Sequence, residues 1–344
     1  MVELRPTPQK VSPPPDPAPP YQSADRPLPL RLITHNIRYA TAHPFKGEEP
    51  WPVRLPRLLA ELKFHTSNQP HAFVCLQEAL HHQLLDVLDG LNNGLCADDE
   101  CAEWGFVGVG RDDGKQAGEY SPVLYRRKDW AVEHWETVWL SPTPEKPSKG
   151  WDAGSVRILT VVAFMHRRSG RQVVGLNTHL DDQGSKARYE AAKMIVRKVR
   201  ESCGEHVPVF LAGDMNSETD QEAYQVLAGE NSPLIDLRDE VPEEERYGHE
   251  NTYTSFAGEE SEKRIDFLFL GPKKANAWAM KNYAVLESRF EDGVYSSDHR
   301  AVVGDVELCE RSDDGIPFKR VPVMRQTTID SWVGRTCSHE EDFG

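Results

Sequence analysis

The sequence lacks the apolar segments that membrane insertion or export requires. It contains no uninterrupted apolar run of about 18 residues, the length that a spanning helix needs. The first residues also lack the short apolar core of a signal peptide. We therefore expect neither a membrane span nor export, and we expect an intracellular protein, cytoplasmic or nuclear.

Cysteine pairs with metal-ligand spacing and an excess of positive charge are also missing. The six cysteines are scattered without a CxxC pattern, which argues against a zinc site. The formal net charge of -15 argues against an extended basic groove. It does not exclude a nuclease that neutralises a few phosphates locally and relies on a metal ion for the others.

The chain divides into three parts by composition. Residues 1–29 contain ten prolines and almost no apolar periodicity, so we expect a disordered leader. Residues 30–309 carry the periodic segments, and the 38% hydrophobic content of the whole chain supports a large core. We assign this part to a single domain and residues 310–344 to a C-terminal tail.

Short β-branched segments, separated by turns and interspersed with helices, fill the central part. The helix predicted over 183–203 places Ala187, Ala191, Met194, Ile195 and Val199 on one face. A second helical pattern surrounds Pro56, which predicts a late start or a kink. The pattern predicts an α/β (α+β) fold in which two mixed β-sheets pack face to face, with helices outside.

Polar side chains follow several of the predicted strands at the points where they end. Any one of them is explained by a helix cap or a satisfied core polar group. The whole set is not, because burying several carboxylates together without a cation costs several kcal/mol each. The set comprises Asn36, Glu78, Asn177, His179, Asp214, Asn216, Asp266, Asp298 and His299.

The motifs that contain these residues resemble those of the endonuclease/exonuclease/phosphatase superfamily. They occur in family order from residue 30 to about 308, as "HNIRY", "CLQEA", "NTHLD", "GDMNS", "RIDFLF" and "SDHRAV". The resemblance implies the DNase I-like four-layer α/β sandwich and metal-dependent hydrolysis of phosphate esters. Segments similar to "GRDDG" and "GEYSP" occur in a little-characterised bacterial and fungal branch.

The resemblance also assigns a metal site. Glu78 resembles the principal Mg²⁺ ligand, with Asn36 and Asp298 close to the ion directly or through water. Magnesium binds few protein oxygens and retains several waters, which suits this sparse set. We expect Mg²⁺ as the cofactor, with Mn²⁺ as a substitute.

Catalytic roles follow from the same motifs. Asp214 resembles the residue that orients and deprotonates the attacking water, and Asn216 the amide that holds this water or a phosphoryl oxygen. His179 and His299 resemble the two histidines that donate hydrogen bonds to phosphoryl oxygens. Asp266 resembles the partner of His299, and a neighbouring carboxylate favours a cationic imidazole near neutral pH.

Four further residues are candidates for substrate binding. Arg111, Glu119 and Tyr120 lie in a Gly-rich segment that precedes a strand, and Asn177 lies in "NTHLD". The alternative for the segment is a turn with solubilising charges. Arg157 is expected to be a structural ion-pair partner.

Three hypotheses for function follow. The first is a phosphodiesterase or nuclease that hydrolyses a nucleic acid or nucleotide-like diester by direct attack of water. The second is a phosphomonoesterase or phospholipid-type phosphohydrolase with the same site. The third, an inactive binding module, is opposed by the complete set of motif residues.

The C-terminal "QTTIDSWV" resembles a degenerate motif that binds the DNA sliding clamp. Gln326, Ile329 and Trp332 have the spacing of its glutamine, aliphatic and aromatic anchors. The alternative is a tail that packs Ile329 and Trp332 on the domain.

Overall fold

Two β-sheets packed against each other form the centre of the molecule. The computed structural model describes residues 27–95, 101–203, 207–256, 262–273 and 277–309. The predicted clamp motif, Gln326, Ile329 and Trp332, therefore lies outside the described residues. Within them, no helix is long and apolar enough to cross a membrane.

The first sheet has seven strands and is mixed. Its central strands β1 and β2 are parallel, whereas β13 runs antiparallel to β1 on the other side. In spatial order the strands are β10 (Arg246–Gly248), β12 (Trp278–Val285), β13 (Val302–Leu308), β1 (Leu28–Asn36), β2 (Ala72–Gln77), β4 (Val123–Arg126) and β3 (Trp104–Val107).

The second sheet has six strands and is also mixed. Its central strands β7 and β8 are parallel, and β11 runs antiparallel to β8. In spatial order the strands are β5 (Trp130–Trp139), β6 (Ile158–His166), β7 (Gln172–His179), β8 (Val209–Asp214), β11 (Asp266–Gly271) and β9 (Ile235–Asp236).

Helices cover the outer faces of both sheets. Side chains of α1 and α2 form one hydrophobic cluster with the seven-stranded sheet, and those of α3 and α4 form another with the six-stranded sheet. A third cluster fills the space between the sheets. The predicted four-layer sandwich is confirmed. The helices are α1 (Trp51–Thr66), α2 (His81–Leu91), α3 (Ser185–Cys203), α4 (Glu222–Ala228) and α5 (Leu237–Glu240).

Strand β1 shows why this sequence gives two buried faces. Leu30 and Leu32 point into the cluster between the sheets, whereas Ile33 points into the cluster under α1 and α2. This alternation follows the two-residue period of a strand. β1 begins at Leu28, two residues before the predicted start of the domain.

Pro56 lies inside α1 and does not delay its start. The helix begins at Trp51 and continues through Pro56, so no late start occurs. Val53 is 37% exposed, so it lies outside the buried face. The buried face includes Arg54 and Glu61, polar residues that a pattern of apolar positions leaves out. The apolar face of α3, in contrast, contains Ala187, Ala191, Ile195 and Val199 as predicted.

Candidate active site

The ends of strands from both sheets converge on one cleft. In the seven-stranded sheet, β1 ends at Asn36 beside Gln77, the last residue of the parallel strand β2. In the six-stranded sheet, Asp214 pairs with His179 on one side and with Asp266 on the other. The fold therefore brings both halves of the predicted set to the same rim of the sandwich.

Unusual backbone conformations aim two of these side chains. Glu78 has a φ of 59° directly after β2, and Asn216 has a φ of 44° just after β8. Asparagine tolerates this left-handed region, but glutamate rarely adopts it, and such strain concentrates at functional sites. Gly213 has a φ of 153°, and a Cβ there would meet the Thr178 carbonyl oxygen at 2.2 Å. Only glycine lets β8 approach β7 this closely.

Asn36 links the two halves of the site. Its Nδ2 donates to Glu78 Oε1 and to Asp214 Oδ2, both at 3.0 Å. Glu78 Oε2 also accepts the backbone N–H of Tyr39 at 3.0 Å, and Asp214 Oδ1 accepts that of Asn216 at 2.9 Å. Both carboxylates are thereby held in fixed orientations across the boundary between the sheets.

His299 lies between two buried aspartates. Its Nδ1 is 2.8 Å from Asp266 Oδ2, and its Nε2 is 3.7 Å from Asp214 Oδ2. Burial alone would lower the pKa of His299. Asp266 and Asp214 raise this pKa by more than burial lowers it, so the net pKa lies well above the usual value. The ring is therefore cationic at neutral pH, and both of its nitrogens carry a proton.

His179 is close to the same aspartate, but its ring is neutral and not cationic. Its Nε2 is 3.5 Å from Asp214 Oδ2 and 3.0 Å from Asn216 Nδ2, which donates to it. Burial, followed by Arg157 and Arg111, lowers the pKa of His179 well below its usual value. The ring is neutral, and its Nδ1 lies 3.8 Å from Glu119 Oε2.

The buried carboxyl groups are crowded. Burial and then Asp266 raise the pKa of Asp214 to about 7. Burial raises the pKa of Asp298 to about 6, with Glu78 adding to the rise and His299 opposing it. Glu78 and Asp298 both line the cleft, and Asn36 contacts Glu78, so oxygen donors of the kind that hard divalent cations prefer are present here.

A second grouping in the cleft does not fit a metal equally well. Asp214, Asp266 and His299 have potential ligand atoms within 4.8 Å of one another. The imidazole of His299 is cationic and its Nδ1 is taken by Asp266, so it has no lone pair to offer. These three residues therefore suit a protonated imidazole held between two aspartates better than they suit a metal ion.

The Gly-rich segment forms an ordered loop that walls the cleft. Backbone bonds close it from Arg111 to the Glu119 carbonyl at 3.1 Å and from Asp112 to the Ala117 carbonyl at 3.0 Å. The Arg111 guanidinium pairs with Glu119 at 2.6 Å, and both side chains line the cleft. The alternative of a solubilising turn does not fit this paired and half-buried position.

Tyr120 and Asn177 do not reach the cleft. Tyr120 is 3% exposed, and its hydroxyl donates to the Lys115 carbonyl at 2.8 Å, which supports the loop from behind. Asn177 is fully buried between the sheets, where Gln77 and the carbonyls of Leu76 and Pro122 satisfy its amide. Their prediction as substrate-binding residues is corrected to a structural role.

Two arginines, Arg38 in the cleft and Arg54 near it, were not predicted from the sequence. Arg38 follows Asn36 by two residues in "HNIRY", and its guanidinium lies 3.7 Å from Glu78 and stacks on Tyr39 and Phe45. Its place in the motif was the available signal. Arg54 is fully buried and donates to four backbone carbonyls near the cleft, which no local pattern indicates.

The cleft has a volume of about 610 Å³, and its lining combines five Arg and Lys side chains with six Asp and Glu side chains. Arg157 donates to Asp182 at 2.7 Å and lies 3.3 Å from Asp181, as expected for an ion-pair partner, yet it also lines the cleft. Arg188 pairs with Glu222 at 2.6 Å. The cationic side chains of the lining are Arg38, Arg111, Arg157, Arg188 and Lys263.

Fold and site together define a hydrolase that acts on phosphate esters. The sequence model of the Endonuclease/Exonuclease/phosphatase family matches residues 33–299, and the chain belongs to this family. Enzymes of this family depend on a divalent metal. No match was found among curated protein sequences.

Solved structures agree with this assignment. An endonuclease/exonuclease/phosphatase from Bacteroides vulgatus is 32% identical over 81% of this chain and 99% of its own, with a TM-score of 0.70. A mannosyl-6-phosphatase from Bacteroides thetaiotaomicron is 28% identical over 80% and 99%, with a TM-score of 0.68. The human nocturnin catalytic domain shares the fold, at 18% identity over 82% and 94% and a TM-score of 0.60.

Proposed function

We propose that this enzyme hydrolyses the phosphate monoester of a small polar molecule, with sugar phosphates as the leading class. The observation that carries the proposal is the cleft of about 610 Å³, walled by the loop that holds Arg111 and Glu119. This volume is typical of small-molecule sites. The similarity to a mannosyl-6-phosphatase supports the same class.

The charges of the cleft also suit a monoester. A terminal phosphate carries up to two negative charges, and Arg38, Arg111 and Arg157 face the space beside the carboxylates. Guanidinium groups bind phosphate oxygens in a planar, bidentate way. A nucleic acid would require this positive charge to extend along a groove, against the net charge of -15.

Asp214 is the proposed base. Asn36 and the Asn216 backbone fix its two oxygens, so its position is preorganised to orient a water molecule. Its pKa of about 7 suits a base that works near neutral pH. His299 then donates its Nε2 proton in a hydrogen bond to a phosphoryl oxygen as negative charge develops there.

The metal completes the site. Glu78, Asn36 and Asp298 would hold Mg²⁺, or Mn²⁺ in its place, and the ion supplies Lewis acidity and neutralises charge on the phosphate. Asn216 holds the neutral His179 ring by a 3.0 Å hydrogen bond, which leaves His179 Nδ1–H facing Glu119. In this geometry His179 orients neighbouring groups, and His299 is the cationic donor.

The test compares esters under one set of conditions. We would measure kcat/KM for mannose 6-phosphate, p-nitrophenyl phosphate, bis(p-nitrophenyl) phosphate, a short single-stranded DNA and a micellar phospholipid, with Mg²⁺ and after EDTA. We expect the monoesters to be preferred at least about tenfold over the diesters, with activity lost in EDTA and restored by Mg²⁺ or Mn²⁺. A preference for bis(p-nitrophenyl) phosphate or DNA would support the phosphodiesterase hypothesis instead.

The role of the loop that holds Arg111 and Glu119 is tested with one variant and one control. Arg111→Ala should raise KM for the preferred monoester about tenfold or more, because a charge-assisted contact to phosphate contributes about 1.5–3 kcal/mol. Arg197→Ala removes the same charge from the exposed face of α3, where Arg197 is 66% exposed, and should leave KM unchanged. Equal KM values for both variants would remove the loop from substrate binding.

A further inference from the structure

A second group of potential metal ligands lies at the opposite rim of the sandwich. His71 directly precedes β2, whereas the cleft lies at the other end of that strand. His166 ends β6 and pairs with Trp130, and the residue before Trp130 is Asp129. The start of β6 lies beside the end of β7 in the cleft, where Leu159 pairs with Thr178. The group is therefore a full strand length away from the active site.

The three side chains approach one another closely. His71, Asp129 and His166 each offer one ligand atom, and these atoms lie within 4.8 Å of one another. The two imidazole rings have their centroids 4.7 Å apart at an angle of 84°. His71 lies directly before β2 of the seven-stranded sheet, and His166 is the last residue of β6 in the six-stranded sheet. The group therefore joins the two sheets.

Hydrogen bonds leave the outer nitrogen of each ring available. His71 Nδ1 lies 2.9 Å from the Pro29 carbonyl oxygen, which can only accept, so Nδ1 carries the proton and Nε2 has the lone pair. His166 Nδ1 lies 2.8 Å from Ser169 Oγ and also accepts the Ser169 backbone N–H at 3.3 Å, so a cation at Nε2 requires the tautomer with the proton on Nδ1, where Ser169 Oγ can accept it. Metal-binding histidines typically donate a hydrogen bond from the N–H of their other ring nitrogen to such an oxygen.

His166 supplies an independent sign that a ligand is missing. The residue is 1% exposed, and its Nε2 is buried without a hydrogen-bond partner among the described residues. A buried polar atom without a partner is costly, and natural structures contain few of them.

We propose that His71, Asp129 and His166 bind a divalent transition-metal cation of the Zn²⁺ type. Two imidazole nitrogens and one carboxylate oxygen are a donor set that such cations prefer over Mg²⁺. Water would complete the coordination at this half-exposed rim. The absence of CxxC motifs bears only on cysteine-based zinc sites, and this group contains no cysteine. A bound ion would connect the two sheets and stabilise the folded state.

The test measures Zn²⁺ binding in the full chain. Equilibrium dialysis with Zn²⁺, in millimolar Mg²⁺ to compete at the oxygen-rich cleft, should give one more bound equivalent in the wild type than in His71→Gln or Asp129→Asn. Each variant should bind this equivalent at least about tenfold more weakly, because it loses one of three ligands. His43→Gln alters an exposed histidine elsewhere and should bind as the wild type does.

Two further measurements separate this site from the cleft. In Glu78→Gln the additional Zn²⁺ equivalent should persist, because that variant removes only the proposed ligand in the cleft. Zn²⁺ should raise Tm in the wild type and in His43→Gln, and not in His71→Gln or Asp129→Asn. Equal Zn²⁺ stoichiometry and affinity in the wild type, His71→Gln and Asp129→Asn would overturn the proposal and leave the trio as ring packing beside Trp130.

Discussion

Two buried histidines each face a buried carboxyl group, and their pKa values move in opposite directions. His299 Nδ1 lies 2.8 Å from Asp266, and the pKa of His299 is raised well above its usual value. His35 Nδ1 lies 3.3 Å from Glu61, and the pKa of His35 is lowered to about 4. The two residues are also connected, because His35 Nε2 donates to the His299 carbonyl at 3.1 Å.

The difference lies in how many carboxylates surround each ring. Burial opposes the charged form of both histidines, but His299 is stabilised as a cation by Asp266, Asp214 and Asp298 together. For Glu61, burial is the cause of the shift, and it raises the pKa of this carboxyl group to about 8. Glu61 is therefore neutral at pH 7 and does not stabilise a cationic His35. A single buried pair is thus neutral, whereas a cation at the cleft requires several anions.

The largest expected effect comes from removing the carboxylate that His299 and His179 share. Asp214→Asn keeps the size of the side chain but abolishes the proposed base and lowers the pKa of His299. We expect kcat to fall at least about a hundredfold, the usual minimum for losing a general base. Steady-state kinetics on the preferred ester measure this, with circular dichroism to verify folding. Turnover close to that of the wild type would assign the base to another residue.

The next effect separates the two histidine pairs. Asp266→Asn removes the strongest anionic partner of His299, so the pKa of His299 falls and the ring loses its proton at a lower pH. Because the cationic donor is then lost as pH rises, we expect a deficit in kcat of about tenfold at pH 6 and about a hundredfold at pH 8.

A pH–rate profile of the wild type and the variant measures this deficit. Glu61→Gln is the matched control, since it alters the carboxyl group of the other pair and should leave the profile unchanged. A deficit in Asp266→Asn that is the same at every pH would argue that Asp266 acts only by holding the ring in place.

The sequence was sufficient for the parts of this site that follow strand ends. Glu78, His179 and Asp214 stand where an apolar strand stops, and parallel strands bring such positions together, whereas Asp266 begins β11, which runs antiparallel to β8. Asn177 shows the limit of this reasoning. It has the same side-chain direction as His179 but lies two residues deeper, where that face of β7 is closed by Gln77. Depth along a strand is set by the packing of the two sheets, which the motif does not contain.

Local sequence patterns do not predict contacts between distant segments, because these contacts also depend on how the sheets and helices pack. Glu61 lies in "LAELKFH", where a glutamate on an amphipathic helix is expected to face solvent. Its burial depends on His35, which approaches from a strand of the underlying sheet. The trio of His71, Asp129 and His166 likewise comes from three separate strand ends and has no local spacing that would indicate a metal.

The smallest expected effect tests the neutral pair through stability. The pKa of Glu61 is about 8 in the folded state and about 4.5 ordinarily, so between these values the folded state binds more protons than the unfolded chain. Its stability therefore falls as pH rises through this window. Glu61→Gln keeps a neutral side chain and removes this loss, so its Tm relative to the wild type should increase from pH 5 to pH 9.

Thermal unfolding at several pH values measures this difference, which should reach about 2–4 °C if the effect is ~1 kcal/mol. Glu201→Gln makes the same substitution at a 57% exposed position of α3 and should show no such trend. A Tm difference between Glu61→Gln and the wild type that is constant with pH would mean that Glu61 is ionised in the folded state. His35 would then have an anionic partner, as His299 does, and the number of surrounding carboxylates would no longer explain why only His299 is cationic.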